Sequence, residues 1–599
     1  MSDSEPTSPV KSSTRKILAV LGRYFAPQWR PSVLLLLLLL TGIGLQLINP
    51  WILSQFIDQA VAGAPLNTLL KLAGAFLLFA LLRQLDTVAE SYLAANIGLR
   101  ATNQLRSDLA RHCLNLDMAF HNARTPGEMI ERIDGDVDRL NNFFARFVID
   151  LLGNLLLLIG VLILVWRIHW QVGAALTGFS LATFILLNRL RDIGVPLYRE
   201  ARQANAMLYG FIEERLAGTE DIRANGGVAY VMRRLLEHAR RLFRADLKAN
   251  LMSVSVFGFT RALFMAGTGV ALGLSAFLYL DGILTIGAVY LSYRYTEVLL
   301  QPIEVINRQI QDLQQAGASV ARVQDLLART SRIQDTGTTP LPQNGALPVQ
   351  FEDLTFGYID DDNATGAPLE LVLRGLSFTL PAGSVTGLLG RTGSGKTTLS
   401  RMVFRAYDPT GGAVRLGGLD LRAAPLADVR RAVGVVTQEI QLFHASLRDN
   451  LTLFDPAVPD AQIESVIREL GLGDWLDDLP DGLNTLLQPG GGGLSAGEAQ
   501  LLAFVRVFLS DPQVVVLDEA SSRLDPATER LLEQAITRLL TGRTGIVIAH
   551  RLGTIERVDN VIILERGQVL EFGARAALAS DSSSRFSQLL ATGLEEALV

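Results

Sequence analysis

The chain has 599 residues, of which 49% are hydrophobic and 19% are charged, and its net charge at pH 7 is −6. A chain of this length is expected to form more than one domain. The negative charge argues against non-specific binding to nucleic acid, which needs a basic face. Cys113 is the only cysteine, so an intrachain disulfide and a metal site built from several cysteines are both excluded.

The first 15 residues are polar, rich in Ser and Pro, and lack the apolar core of a signal peptide. We expect residues 1–15 to form a disordered cytoplasmic tail. The segment from Lys16 to Phe25 has the pattern of a short amphipathic helix that lies on the membrane surface.

Six apolar stretches in residues 16–327 are long enough to cross about 30 Å of hydrocarbon. They predict an all-α transmembrane domain of six helices. The stretches lie near residues 31–57, 66–92, 144–166, 172–190, 252–280 and 283–306.

The basic residues between these stretches are unevenly distributed. Residues 93–146 and 191–250 are rich in Arg, whereas the connections near 58–65 and 281–282 carry no basic residue. Because cytoplasmic loops of membrane proteins carry an excess of Lys and Arg, both long segments and both termini are predicted to face the cytoplasm. The two long segments keep helical periodicity with few Gly or Pro, so the membrane helices are predicted to continue into the cytoplasm.

Ionisable side chains also fall inside the predicted spans, where such groups are costly and usually face a wet cavity or each other. Two interpretations stay open: a polar translocation cavity for an amphipathic molecule, or structural ion pairs and helices that extend beyond the hydrocarbon. We hypothesise that Arg294 or Glu297 contributes to substrate handling. The residues concerned are Arg83, Asp86, Glu90, Arg261, Arg294 and Glu297.

Residues 328–348 are rich in Thr, Pro, Gly and Gln and lack periodicity, which is typical of an interdomain linker. They are predicted to join the transmembrane domain of residues 16–327 to a soluble α/β domain of residues 349–599.

The soluble part contains a phosphate-binding loop: residues 390–397 match G-x-x-x-x-G-K-[ST] at every fixed position. An apolar strand-like run, 385–389, precedes the loop, and a predicted helix follows it. Glycines let backbone N–H groups approach the phosphates, and Lys396 neutralises the β and γ oxygens. Lys396 is the only lysine after Lys248 in a chain that otherwise uses arginine. The predicted nucleotide-binding residues here are Gly390, Arg391, Thr392, Gly393, Ser394, Gly395, Lys396, Thr397 and Thr398.

A second apolar run, Val514 to Leu517, is followed by two carboxylates. Asp518 and Thr397 are predicted to hold Mg²⁺. Glu519 is predicted to orient and deprotonate the attacking water, which makes it the candidate catalytic base.

Together these motifs resemble the ATPase domain of ABC transporters, and the six spans with long helical extensions resemble the transmembrane domain of ABC exporters. The resemblance implies ATP hydrolysis coupled to transport. It also implies that Tyr358 stacks on adenine, that Gln438 contacts Mg²⁺ and water, that His550 contacts the γ-phosphate, and that Asp525 lies in the D-loop. Lys396, Gln438, Glu519 and His550 are therefore the candidate catalytic residues.

In ABC exporters, short coupling helices at the ends of the cytoplasmic extensions dock onto the ATPase domains. The matching stretches in this chain are Phe120–Arg124 and Gly218–Ala224.

Residues 494–498, Leu-Ser-Ala-Gly-Glu, resemble the family signature L-S-G-G-Q with two letters changed. In this family each ATP lies between the Walker loops of one ATPase domain and the signature of the other, so Ser495, Ala496, Gly497 and Glu498 would face the nucleotide of a partner. A Cβ at Ala496 either blocks a close approach to phosphate or strains a backbone that suits glycine. Glu498 brings a negative charge towards a polyanion, which costs roughly 2 kcal/mol at about 7 Å and an effective dielectric constant of about 20.

Pro489 also stands where the family has an acidic residue, in a loop that normally meets the coupling helices. The resemblance therefore predicts one half of a heterodimeric exporter with one competent and one degenerate ATP site, placed in the cell membrane and using ATP and Mg²⁺. Its substrate would be a hydrophobic or amphipathic drug, lipid or peptide, with no nucleic-acid partner. The alternatives are a homodimeric lipid or drug exporter and a nucleotide-gated membrane regulator that moves no cargo.

Overall fold

The computed structural model describes residues 22–24, 26–343, 345–358, 370–438, 440–518, 526–548 and 555–592. Within these ranges it describes no side chains for residues 142–149, 191, 307–315, 491, 526, 527 and 592. The predicted tail 1–15 and nearly all of the predicted surface helix 16–25 lie outside the described residues.

The N-terminal part is helical, and two π-helical turns, Glu131–Gly135 and Phe147–Gly153, flank its fifth helix. Its helices in chain order are α1 (Trp29–Val61), α2 (Leu66–Leu114), α3 (Met118–Asn122), α4 (Pro126–Ile130), α5 (Asp136–Arg146), α6 (Asn154–Ile168), α7 (Trp170–Ala217), α8 (Thr219–Ala224), α9 (Val228–Leu280) and α10 (Ile286–Ala328).

The C-terminal part alternates strands and helices. Its strands are β1 (Val349–Gly357), β2 (Leu371–Leu380), β3 (Val385–Leu389), β4 (Gly411–Leu416), β5 (Leu419–Asp420), β6 (Val433–Val436), β7 (Val514–Asp518), β8 (Thr544–Ile548), β9 (Asn560–Glu565) and β10 (Gln568–Ala574). Its helices are α11 (Lys396–Val403), α12 (Leu426–Ala432), α13 (Leu447–Thr452), α14 (Asp460–Glu469), α15 (Gly473–Asp477), α16 (Ala496–Ser510), α17 (Pro526–Leu540), α18 (Arg575–Ser580) and α19 (Arg585–Thr592).

The chain divides into two compact units whose boundary does not follow the sequence. One unit comprises Met1–Leu114 and Pro126–Ala328, and the other comprises Asn115–Thr125 and Arg329–Val599. The short helix α3 therefore belongs with the C-terminal unit although long membrane helices precede and follow it in the chain.

The helical unit confirms the predicted transmembrane architecture in its main features. Among the described residues, five helical segments are long and apolar enough to cross a membrane: Ala26–Val61, Leu66–Leu114, Asp150–Ile168, Trp170–Ala217 and Val228–Leu280. With a rise of 1.5 Å per residue, the 49 residues of α2 extend about 74 Å, more than twice the hydrocarbon thickness. Such helices continue well beyond the membrane, as the sequence predicts.

The sixth predicted span, 283–306, differs from the other five. It corresponds to the first half of α10, which is not among the segments that meet the criterion of length and apolarity. The physical reason is its polarity, since Tyr293, Arg294 and Glu297 follow one another within two turns.

Five of the six ionisable side chains of the spans are paired with each other, and the sixth, Arg261, lies over the Phe257 ring at 5.3 Å. Arg83 donates to Asp86 at 3.0 Å and lies 3.5 Å from Glu90, and Thr41 also donates to Asp86. Arg294 forms an ion pair with Glu297, which accepts a second hydrogen bond of 2.6 Å from a neighbouring tyrosine hydroxyl. These contacts agree with the structural interpretation of the charges. Both Arg294 and Glu297 remain about 40% exposed, so their hypothesised part in substrate handling stays a hypothesis.

A buried carboxylate joins α5 to the C-terminal part of α10. Asp136 is 1% exposed, accepts hydrogen bonds from Ser319 and Arg322 of α10, and forms an ion pair with Arg139 at 3.1 Å. Asp134, two residues earlier, makes an ion pair with Arg106 at 2.9 Å but is 57% exposed.

We expect Asp136→Ala to lower the melting temperature of the full chain by several degrees and Asp134→Ala to change it by less than about 1 °C. Asp136→Ala removes the acceptor of the hydrogen bonds from Arg322 and the fully buried Ser319, and a hydrogen bond to a charged group contributes about 1.5–3 kcal/mol. An exposed ion pair contributes about 0–1 kcal/mol. Thermal unfolding of both variants in lipid nanodiscs measures the difference. Equal shifts would show that Asp136 does not hold α5 against α10.

Two sheets form the framework of the C-terminal unit. Among the described residues, one has the order β2-β1-β4-β5 and is antiparallel, and the other has the order β10-β9-β3-β8-β7-β6. Strands β9, β3, β8, β7 and β6 are mutually parallel, and only β10 runs against them. A parallel sheet is covered on both faces, which explains the continuous apolar sequences of β7 and β8 and their near-complete burial.

Candidate functional site

The carboxyl ends of β3, β8, β7 and β6 lie at one edge of the six-stranded sheet, because these strands are parallel neighbours. In open α/β sheets, ligands bind at this edge. The phosphate loop follows β3, Asp518 ends β7, and Gln438 lies two residues after β6. The fold therefore brings together three motifs that the sequence separates by up to 130 residues.

The backbone of the phosphate loop adopts conformations that require glycine. Gly390, Gly393 and Gly395 have φ angles of +147°, +80° and +104°. A Cβ at Gly390 would lie 2.3 Å from the carbonyl oxygen of Leu564, whereas a Cβ at Gly393 would meet nothing within 4 Å. Gly390 thus packs tightly against β9, and Gly393 faces open space at the site.

Lys396 and the first turn of α11 supply the positive side of the site. The Lys396 side chain is 7% exposed, and its ammonium donates to the carbonyl oxygens of Gly390 (2.6 Å) and Arg391 (3.2 Å). The ammonium is thereby held over the loop, where it can bind phosphate oxygens. The helix begins directly after Gly395 without a side-chain cap, which leaves its N-terminal amides to an anion.

Tyr358 lies beside this loop on the antiparallel side. Its hydroxyl is 3.0 Å from the Thr398 hydroxyl, and its ring is 39% exposed and packs edge-on against Phe356 and Tyr407. An exposed ring fixed by two aromatic neighbours offers a flat surface for a base, in agreement with the role that the resemblance implies for Tyr358.

The candidate magnesium ligands are oxygen donors at the same edge. Thr397 is exposed in the first turn of α11, Asp518 is half-buried at the end of β7, and Gln438 is exposed. A hydroxyl, a carboxylate and an amide oxygen suit Mg²⁺, which is bound through few protein ligands together with phosphates. Among the described residues there is no cluster of three or more His, Cys, Asp or Glu that could hold a metal ion by itself.

Three predicted site residues, Glu519, Asp525 and His550, lie outside the described residues. The described chain stops at Asp518 before the first two and at Ile548, the end of β8, before the third. Strands β7 and β8 are neighbours, and Asp518 lies opposite Ile548. Both strands therefore end at the same edge of the sheet as β3 and the phosphate loop.

The signature-like segment forms the N-terminus of α16. Ser495 is the N-cap residue: its Oγ accepts from the Glu498 backbone N–H at 3.2 Å, and the Glu498 carboxylate accepts from the Ser495 backbone N–H at 2.6 Å. This reciprocal pair is a capping box. Ser495 and Ala496 are exposed, Glu498 is half-buried and Gly497 is buried.

The capping box decides between two interpretations of Ala496. Ala496 is the first helical residue, and it is not among the described non-glycine residues with positive φ. The prediction of a strained backbone at Ala496 is therefore wrong, because an ordinary helical conformation accommodates alanine. What remains is the steric effect of an exposed methyl group at the helix N-terminus.

Sequence reasoning missed a contact between α3 and the aromatic group at the site. Asn122 donates to the Tyr407 hydroxyl at 2.7 Å, and Ala119 packs on the core beneath it. Burial raises the pKa of the Tyr407 phenol, whose oxygen accepts this hydrogen bond. The predicted first coupling helix thus contacts an aromatic neighbour of Tyr358. No spacing rule identifies Tyr407 because it is adjacent to Tyr358 only in the folded domain.

A second missed residue is Arg506 of α16. It donates to the carbonyl oxygens of Asn450 (2.7 Å) and Gln441 (2.9 Å), and burial lowers its pKa. Asn450 is fully buried and donates to the Phe443 carbonyl oxygen. Arg506 therefore ties the signature helix to the segment that follows Gln438.

These features define a P-loop nucleotide-binding domain that shares its chain with a helical membrane domain. Two family models match the chain: "ABC transporter transmembrane region" over residues 32–303 and "ABC transporter" over residues 373–522.

Relatives of similar length support the same assignment. The chain is 26% identical to the uncharacterized ABC transporter ATP-binding protein YfiC of Bacillus subtilis, over 94% of this chain and 92% of the relative. It is 28% identical to the ATP-dependent lipid A-core flippase of Alcanivorax borkumensis (84% and 85%) and to the alpha-hemolysin translocation ATP-binding protein HlyB of Proteus vulgaris (92% and 77%).

A solved structure of a bacterial Atm1-family ABC exporter with ATP bound has the same fold. Its TM-score is 0.77 at 23% identity, with 95% of this chain and 98% of that chain covered. The chain is an ABC transporter of exporter-type fold, in which a transmembrane region is fused to an ATP-binding domain. It is a multi-pass membrane protein and an ATP-hydrolysing transporter.

Proposed function

We propose that the chain is one half of a heterodimeric ABC exporter. In this proposal it supplies the catalytic Walker residues of one ATP site and borrows the signature of a partner subunit for that site. The observation that carries the proposal is the carboxylate of Glu498 at the N-terminus of α16, where the γ-phosphate of the partner's ATP would bind.

The Glu498 carboxylate acts on this surface in two ways. It occupies the Ser495 backbone N–H at 2.6 Å, a donor that an incoming phosphate would otherwise use. It also places a negative charge at the positive end of the helix dipole. A glutamine at this position can form the same capping box but carries no charge. The charge is therefore the part of the substitution that opposes a phosphate.

The consequence depends on the partner. In a homodimer both composite sites would contain the Glu498 signature and both would be weak. In a heterodimer the Walker side of this chain, with Lys396, Asp518 and Glu519, would meet an intact signature and form one strong site. We expect the partner to carry L-S-G-G-Q or nearly so, and to lack a glutamate at the position equivalent to Glu519.

The remaining assignments follow from the site and from the relatives. Thr397, Asp518 and Gln438 would hold Mg²⁺, which neutralises phosphate charge when bound, and Glu519 and His550 would complete the catalytic group. One relative is named for lipid A-core and another for alpha-hemolysin, which supports an amphipathic lipid or peptide as substrate. We place the chain in the cell membrane with both termini in the cytoplasm, on the distribution of arginine.

A homodimeric lipid or drug exporter is the second candidate. The observation in its favour is the same capping box, because the Ser495 backbone N–H and the helix dipole partly neutralise the Glu498 charge. A signature segment whose Glu498 charge is partly neutralised could still bind phosphate in both sites of a homodimer.

Restoring the family signature separates the two candidates. We expect the full chain, purified alone in lipid nanodiscs, to hydrolyse ATP slowly, and Ala496→Gly/Glu498→Gln to raise that rate at least tenfold. A relief of roughly 2 kcal/mol corresponds to more than a tenfold change. The matched control is Glu464→Gln, which removes an exposed carboxylate from α14 and should leave the rate unchanged.

Single substitutions then divide the effect. Glu498→Gln keeps the cap and removes the charge, whereas Glu498→Ala removes both. If charge is the obstacle, both variants are faster than the wild type. If the wild-type chain alone already shows rapid, substrate-stimulated hydrolysis that the double variant does not increase, the homodimer is favoured and the heterodimer is rejected.

A further inference from the structure

A cleft in the helical unit lies between α7 and α9. It has a volume of about 320 Å³. Helix α7 contributes Phe211 and Arg215 to its wall. Helix α9 contributes Tyr230, Arg234, Glu237, His238 and Arg241. The lining thus contains three guanidinium groups and one imidazole against a single carboxylate.

Aromatic rings lie against two of the three guanidinium groups. Arg215 lies over the Phe211 ring at 5.3 Å, and Arg234 lies over the Tyr230 ring at 5.7 Å. The Phe211 ring is also stacked on His238 at 4.9 Å, which joins the two helices. Cations oriented by rings lose little freedom when they bind a ligand, and a guanidinium edge matches the geometry of an oxyanion.

The charges of the cleft are only partly compensated. Glu237 accepts from Arg234 at 2.9 Å, and Arg215 pairs with Glu214 at 3.0 Å. The Arg215 Nε is nevertheless buried and has no hydrogen-bond partner among the described residues. A buried N–H without a partner is unusual, and it shows that protein groups satisfy the Arg215 guanidinium only in part. Arg234 also donates a hydrogen bond to the Tyr230 hydroxyl at 3.3 Å, which lowers the pKa of that phenol.

The position along the helices indicates the source of the ligand. Residues 230–241 precede the apolar stretch that begins near residue 252, which places them about 16–33 Å outside the hydrocarbon at 1.5 Å per residue. Phe211 lies about 32 Å beyond the stretch that ends near residue 190. The headgroup layer is only about 5–8 Å thick on each side. Lipid phosphates therefore do not reach the cleft.

We propose that the cleft between α7 and α9 binds a soluble oxyanion, a phosphate or carboxylate group of a water-soluble molecule, through Arg215, Arg234 and Arg241. This site is separate from the ATP site, and the proposal holds for a homodimer as well as for a heterodimer. It gives the exporter a second place at which a soluble metabolite can act.

Pyrophosphate is a suitable probe, and Lys396→Ala is the background that weakens its binding to the phosphate loop. In full-length chain in phosphatidylcholine nanodiscs, calorimetric titration of Arg234→Ala/Arg241→Ala is expected to show at least tenfold weaker binding at the cleft. The matched control is Arg233→Ala/Arg240→Ala, which removes two exposed arginines one position earlier on α9 and should change the affinity by less than twofold. Residual binding at the phosphate loop is common to both variants.

Hydrogen exchange of the same samples locates the probe. Pyrophosphate should slow exchange in peptides that contain residues 211–241, and Arg234→Ala/Arg241→Ala should remove this protection. Equal affinities of the two double variants, or protection that is absent from these peptides, would overturn the site. Competition from phosphatidylglycerol added to the nanodiscs would overturn the soluble source, because a lipid phosphate would then be the ligand.

Discussion

Lys396→Ala is expected to weaken ATP binding at least tenfold and to reduce ATP hydrolysis by at least about 100-fold. The buried ammonium of Lys396 is held over the phosphate loop by two carbonyl oxygens, so its charge is in place before the nucleotide arrives. A hydrogen bond to a charged group contributes about 1.5–3 kcal/mol, and 1.4 kcal/mol corresponds to a factor of ten. Loss of a donor that stabilises the transition state lowers the rate by a further factor.

Equilibrium binding of a fluorescent ATP analogue and steady-state hydrolysis measure the two effects. Lys248→Ala is the matched control. Lys248 is exposed, and its ammonium lies 3.6 Å from the Glu200 carboxylate, so this surface ion pair contributes little to stability. Lys396→Arg should be nearly as inactive as Lys396→Ala, since the planar guanidinium does not fit the space of a buried ammonium. Retention of more than a tenth of the wild-type rate in Lys396→Ala would contradict the assignment of the phosphate loop.

Glu519→Gln is expected to separate hydrolysis from binding. A general base contributes about 10²–10⁴-fold to a rate, so hydrolysis should fall by at least 100-fold. ATP affinity should change by less than threefold, because the loop that holds the phosphates is untouched. The variant is therefore expected to retain ATP, which filter binding of radiolabelled nucleotide after a chase would detect.

The control for Glu519→Gln is Glu533→Gln on α17, which removes an exposed carboxylate paired with Arg557. It should hydrolyse ATP at the wild-type rate. A Glu519→Gln variant that hydrolyses ATP normally would assign the base to another residue. A variant that loses ATP binding together with hydrolysis would instead give Glu519 a structural role.

Much of the fold could be predicted because membrane spans and P-loop motifs depend on local patterns. An apolar stretch must be helical in hydrocarbon, so five spans were predictable from composition alone. The polar first half of α10 shows where this rule weakens, because Arg294, Glu297 and Tyr293 satisfy each other through contacts that composition does not reveal.

Residues that act through tertiary contacts could not be identified from local sequence patterns. Tyr407 meets Tyr358 and Asn122 only after three distant segments pack together, and Arg506 reaches backbone carbonyl oxygens rather than a motif residue. The boundary between the two compact units also depends on tertiary contacts that local patterns do not reveal. Helix α3 belongs to the C-terminal unit by its contacts and to the N-terminal part by its position in the chain.

The sequence by itself determined that the chain spans a membrane, carries an ABC-type ATPase and has an altered signature, since each depends on residue type and short spacing. Only the tertiary structure decided what the altered signature does locally. It showed Ala496 in an ordinary helical conformation and the Glu498 carboxylate bound to the Ser495 amide. The reason is that Ser and Glu at this spacing are compatible with a capping box, but the box forms only where the helix begins at that Ser, and the folded domain sets that point.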